Sequence, residues 1–343
     1  MSHEREEEST RGPEMAPSGG STPELTTHVG GHLPDQREDT LFRICSRTMT
    51  GASGLHHLAY YTDRVLDFAL DHLDAPEVAL PPAGEEPRVG LRRLGRQLCA
   101  AFEQLDDRLR NAYTGALIRT VIRTDDAEIV CDPVVRTQYV VGVGYTGDRD
   151  GYIDEANDVD RSLARLITEL RAEVGLSSQN LGGFDTEETG DPAREPFVSH
   201  VTKRGSLPAP VEEACTGALH PADLHFVAYC VDDEVVFHAD VFDHAALSMY
   251  FAGSVTPDYR RAFYQKLSEQ LCEIRTQLNR VTALLLRGRL KRVVLDVEQG
   301  AVYYYRVSRR THLVGVTLHQ PKVHHTDVRM AQLATECEHH PTV

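Results

Sequence analysis

Leu117-Ile118-Arg119-Thr120-Val121-Ile122-Arg123 returns 173 positions later as Leu290-Lys291-Arg292-Val293-Val294-Leu295-Asp296, with Leu, Arg and Val in the same places. Extending the comparison outward, Val89 to Tyr145 lies on Ala262 to Leu318 without a gap and gives 15 identities in 57 positions. Composition alone would supply roughly three to four. Gln97-Leu98-Cys99 meets Gln270-Leu271-Cys272, Gln104-Leu105 meets Gln277-Leu278, and Val141-Gly142-Val143 meets Val314-Gly315-Val316. Upstream, Leu55-His56 aligns with Leu224-His225 at an offset of 169; downstream, Asp160, Ala164, Leu166, Thr168 and Glu169 align with Asp327, Ala331, Leu333, Thr335 and Glu336 at 167. The offset changes only between elements, as loop drift after a duplication would leave it.

The second copy spells out its elements. Val211 to Ala218 reads as a short helix, and Leu224 to Val231 and Glu234 to Phe242 as a hairpin about Asp232-Asp233. Phe263, Leu267, Leu271, Ile274 and Leu278 recur at helical spacing behind a Thr256 N-cap, which predicts a long amphipathic helix from Pro257 to Leu286. Three strands follow at Leu290 to Val297, Ala301 to Val307 and Leu313 to Leu318, then a closing helix from Asp327 to Cys337. In the first copy Arg64 to Leu73 fits helix or strand, and the repeat assigns it as strand; Pro133 requires its strand to be bulged or at an edge. The expected fold class is α+β: two copies of an α-β-β-α-β-β-β-α unit, each a five-stranded antiparallel sheet with a long helix on one face.

A length of 343 residues suits two cores. The expected divisions are a disordered tail (1–38), repeat 1 (39–176), a flexible linker (177–206), repeat 2 (207–338) and a short tail (339–343). Residues 1–38 and 177–206 are too poor in branched and aromatic residues to offset ordering entropy. Acidic residues (52) exceed Lys plus Arg (36), giving −16, which disfavours generic nucleic-acid binding. Only Lys203, Lys266, Lys291 and Lys322 are lysine, and tryptophan is absent, a composition that suits a salt-rich or GC-rich source. Seven dispersed cysteines without CxxC read as reduced core thiols, and neither a leader nor a membrane span is expected, so the expected location is the cytoplasm.

The order helix, hairpin, long helix, three-stranded meander, helix resembles the roadblock/LC7 fold, over about 39–175 and 207–338. The stretch Leu117 to Arg123 followed by Val141-Gly142-Val143 is also similar to uncharacterised haloarchaeal domains of the same pattern. The resemblance implies that the two units pair within the chain as a pseudo-dimer, joining their sheets at the third strand and packing their long helices. It implies a non-catalytic adaptor or regulator with a protein partner, a small GTPase among the candidates. On that geometry Cys99 and Cys272 should lie near the pseudo-twofold axis. The other functional classes are a small-molecule sensor of PAS or GAF type and an enzyme without a recognised motif.

Three clusters could carry chemistry. Asp148, Asp150 and Asp154, around Gly151, resemble the middle of an EF-hand loop and form a candidate Ca²⁺ site; its closing Glu is replaced by Asn157, and a solvated acidic loop is the plain alternative. Arg287, Arg289, Lys291, Arg292, Arg306, Arg309 and Arg310 gather at the open end of one hairpin if Gln299-Gly300 is its turn, a candidate docking patch for an acidic partner or anion. His56 and His225 are equivalent, which favours a packing or hydrogen-bonding role over catalysis. GxSxG, GxxxxGK[ST] and HExxH do not occur, and no cofactor other than Ca²⁺ is signalled.

Overall fold

The computed structural model describes residues 25–32, 39–52, 54–75, 78, 86–145, 151–152, 159–184, 197–283, 286 and 288–340. The first half comprises β1 (Thr26–Val29), α1 (Thr40–Gly51), β2 (His57–Thr62), β3 (Val65–Asp71), α2 (Pro87–Leu109), β4 (Leu117–Arg123), β5 (Ala127–Val135), β6 (Gln138–Tyr145) and α3 (Val159–Glu173). The second half repeats that order with β7 (His200–Lys203), α4 (Ala209–Ala218), β8 (Phe226–Val231), β9 (Glu234–Asp240), α5 (Pro257–Thr282), β10 (Arg292–Val297), β11 (Gly300–Arg306), β12 (Thr311–Thr317) and α6 (Val323–Glu338).

The twelve strands among the described residues form one sheet in the order β1-β3-β2-β6-β5-β4-β10-β11-β12-β8-β9-β7, antiparallel throughout. The protein is therefore α+β, with one continuous sheet in place of two five-stranded ones. The seam is β4 on β10, and there Val121 faces Val294, its own counterpart in the sequence repeat.

Local chemistry explains the elements. Thr256 accepts the Tyr259 N–H at 3.1 Å and Pro257 opens the first turn of α5. Asp232 and Asp233 take φ of 48° and 73°, and Asp63 and Arg64 take 49° and 64°, the left-handed pair that a two-residue hairpin needs. Residues 65–71 are strand, with Leu66 and Phe68 buried. β5 is interior and Pro133 sits at its bulge, where a missing N–H costs no regular ladder bond. The α1, α3, α4 and α6 helices cover one face: Gly142 of β6 packs on Leu163 of α3, Gly315 of β12 on Met330 of α6, and α4 packs on α6. α2 and α5 cover the other, with Tyr61 against Gly95 and Phe226 near Tyr264.

Two boundaries are corrected. Thr26–Val29, assigned to the tail, forms β1 on β3, and His200–Lys203, assigned to the linker, forms β7 on β9. Short alternating segments next to an open edge gain ladder hydrogen bonds that composition does not reveal. Residues 181–183 of the linker are also buried.

Candidate functional site

Beneath α3 and α6 the seam carries a buried ionic cluster. Arg119 of β4 donates to Asp160 of α3 at 2.5 Å and to Asp296 of β10 at 3.1 Å. Its counterpart Arg292 of β10 reaches Asp327 of α6, the counterpart of Asp160, and lies 3.4 Å from Glu128 of β5. Arg123 faces Arg292 across the seam and lies 3.6 Å from Glu128. Asp132 of β5 is fully buried and has no ion pair among the described residues.

Three guanidinium groups thus face five carboxyl groups. Desolvation raises Glu128 and Asp296 to about 7 against the pull of Arg292 and Arg119 respectively, and holds Asp132 well above the usual carboxylate range. Burial thus favours the neutral forms of Glu128, Asp296 and Asp132, which reduces the excess of negative charge in the cluster.

Where this seam reaches the surface, both halves line a groove of about 680 Å³. Asp125, in the β4–β5 turn, accepts from the Arg289 backbone N–H at 2.6 Å and from Arg306 at 2.9 Å, with Lys291 Nζ at 3.6 Å. Tyr152 packs on Tyr305, with ring centroids 5.1 Å apart, and its hydroxyl lies 2.6 Å from the Arg306 carbonyl and 2.5 Å from Glu338. Burial, with the Glu338 carboxylate beside it, pushes the Tyr152 phenol up. Arg289 and Arg309 are exposed in the groove and carry no ion pair among the described residues. A carboxylate is already held here by second-half donors, and two further guanidinium groups stand open to solvent. Such donors can take an anionic group.

The predicted patch divides. Arg289, Lys291, Arg306 and Arg309 line the groove. Arg292 does not: the hairpin turns at Glu298-Gln299, so Tyr305 faces Arg292, whose side chain is buried on the α6 side. Arg310 is engaged by Asp232 of the β8–β9 turn, away from the groove. Arg287, Asp148, Asp150 and Asp154 lie outside the described residues. Among the described residues no group of three or more His, Cys, Asp or Glu could hold a metal ion.

Cys99 is corrected as an axial contact. It is buried toward Cys131 of β5, because a small apolar thiol on the inner face of α2 packs on the sheet; the Cys272 side chain lies outside the described residues. The α2–α5 contact is made by longer polar side chains, Gln277 to Gln104 at 2.8 Å and Arg108 to Glu273 at 3.5 Å. His56 Nδ1 accepts the Tyr145 N–H at 3.0 Å, and His225 Nδ1 accepts the Leu318 N–H at 2.8 Å, so both serve the backbone at counterpart positions. Gly142 and Gly144 begin a GxGxxG spacing but lie inside antiparallel β6, where a Cβ would meet Leu163 and the Gly54 carbonyl at 2.6 and 2.5 Å. Their smallness serves packing and not a phosphate loop.

The seam cluster and Tyr152 escaped sequence reasoning. Their signals were present: Arg119 and Arg123 interrupt an apolar strand four residues apart, and Arg119 and Asp160 both recur in the repeat. No helix among the described residues is long and apolar enough to cross a membrane. No protein-family model and no curated protein sequence matches this chain.

Proposed function

We propose that the chain is a cytosolic, non-catalytic adaptor or regulator made of two roadblock/LC7-like units paired as an internal pseudo-dimer, with an acidic protein partner docking in the seam groove. The observation that carries the reading is the meeting of the third strand of each unit, Val121 against Val294, with α2 and α5 side by side on one face. Pairing at that strand is what the roadblock resemblance implies, and the groove exists only where the two units meet. A small GTPase is the partner class taken from the resemblance.

The test is capture of partners by the full-length chain, identified by mass spectrometry, beside an Arg289→Glu/Arg309→Glu variant. Both side chains are exposed, so the variant should keep its melting temperature. The reading expects an acidic protein, a small GTPase foremost, captured by the wild type, released by salt and lost in the variant. A captured partner indifferent to both salt and charge reversal would remove the groove from the reading, and failure to capture any stable partner would remove the adaptor.

A further inference from the structure

Two grooves of common origin lie along the outer faces of α3 and α6. Ala164, Arg165, Thr168 and Glu169 line a cavity of about 330 Å³ on α3. Their counterparts 167 positions on, Ala331, Gln332, Thr335 and Glu336, line one of about 500 Å³ on α6. Each is walled by an aromatic side chain from outside its helix, Phe184 in the first and Tyr152 in the second. A depression that recurs at the same helical positions in both halves belongs to the repeated unit and is not an accident of one surface. Its chemistry has diverged, because Arg161 and Arg165 of the first are Val328 and Gln332 in the second.

The α3 groove is preformed. Asn180, Gly182 and Gly183 take φ of 48°, 72° and 67°, and the Gly182 N–H is tied to Asp296 at 2.8 Å. A Cβ at Gly183 would lie 2.8 Å from the Pro321 carbonyl, so the turn is pressed against the second half. It places Leu181, 3% exposed, in the groove, and holds Phe184 with its ring 5.0 Å from the Arg161 guanidinium and 5.0 Å from the His324 ring. Arg161 and Arg165 stand one helical turn apart on the groove wall. Glu169, one turn beyond Arg165, would neutralise it, but Arg47 of α1 takes that carboxylate. Arg165 therefore remains exposed and without an ion pair among the described residues, above an apolar floor.

We infer that the α3 groove binds a small organic acid, a carboxylate on a short apolar body. Arg165 faces the carboxylate, and Leu181, Ala164 and Phe184 take the apolar part. The volume falls at the lower end of small-molecule sites. The α6 groove, at the same helical positions but without the arginines, is the internal control. This inference is independent of the adaptor reading.

The experiment is isothermal titration calorimetry of the full-length chain with octanoate as the probe, and with acetate and octan-1-ol as head-only and tail-only controls. Saturable one-site octanoate binding is expected, with neither control matching it. Arg165→Gln, which copies the α6 residue, should weaken binding at least about tenfold through loss of a charge-assisted contact. Ala172→Phe, at an exposed position in the groove wall, should block the site without touching the charge. Both substitutions lie on the surface, so unchanged melting curves will show intact folding. Absence of saturable octanoate binding, equal binding by octan-1-ol, or affinity unchanged in both variants overturns the proposal.

Discussion

Gln277 donates its side-chain amide to that of Gln104 over 2.8 Å, and the two residues are counterparts in the sequence repeat. A group lying on a twofold axis meets its own equivalent, and among side chains the carboxamide suits that place because it both donates and accepts. Truncating either to Ala should cost about 0.5–1 kcal/mol, and the double variant should cost less than the sum of the two. Urea denaturation of the four-member cycle measures this; strictly additive losses would mean that the contact contributes nothing.

Arg292 should be far less replaceable than Arg310, although both pair with an aspartate. Arg292→Met leaves Asp327 buried without its guanidinium and Glu128 with Arg123 alone, and should cost about 3–5 kcal/mol. Arg310→Met removes an exposed pair with Asp232 and should leave the denaturation midpoint nearly unchanged. Equal losses at the two positions would contradict the buried seam.

Stability carries two opposed proton linkages. Burial lowers His57 and His225 to about 3, and His238 and His312 to about 4. Their contribution is complete above about 6.5 and is lost as pH falls below it, because the unfolded chain takes up protons there first. Glu128 and Asp296 are raised to about 7, so the folded state holds more protons and their contribution falls as pH rises from about 4 to 7. Relative to the wild type, Glu128→Gln should therefore become progressively more stable between about pH 4.5 and 7, with a constant difference above. Parallel thermal-melt profiles of the two proteins would sink this assignment.

Tyr152 ties a first-half residue to the second half through its hydroxyl and ring. Tyr152→Phe keeps the ring against Tyr305 but leaves the Arg306 carbonyl and Glu338 without that donor, and should cost about 1 kcal/mol. Hydrogen exchange should quicken around residues 303–307 and 335–338 and stay unchanged in α2; uniform quickening would point instead to a global effect.

Much of the architecture was legible because the repeat transfers information: the clear second copy decides the ambiguous Arg64 to Leu73. The edge strands were not, since Thr26–Val29 and His200–Lys203 are strand only by virtue of the neighbours β3 and β9. The groove was half legible. Its basic residues stand out in sequence, but nothing there marks Arg292 as the one that α6 covers, where Asp327 takes its guanidinium. The seam cluster was hidden for a different reason: no spacing rule links Arg119 to Asp160 and Asp296, which meet only after α3 folds back and β4 finds β10.

The seam is symmetric in geometry and unequal in chemistry. Asp125 accepts from the Arg289 N–H, and its counterpart Glu298 accepts from the Ala116 N–H at 3.3 Å, so the backbone motif survives on both sides. The counterparts of Arg289, Lys291 and Arg306 are Ala116, Ile118 and Pro133. Two identical subunits would have to offer such a groove twice or not at all. Fusing both sides into one chain lets each drift alone, so the proposed partner would be seated once, in one orientation, with no crosslinking through that surface.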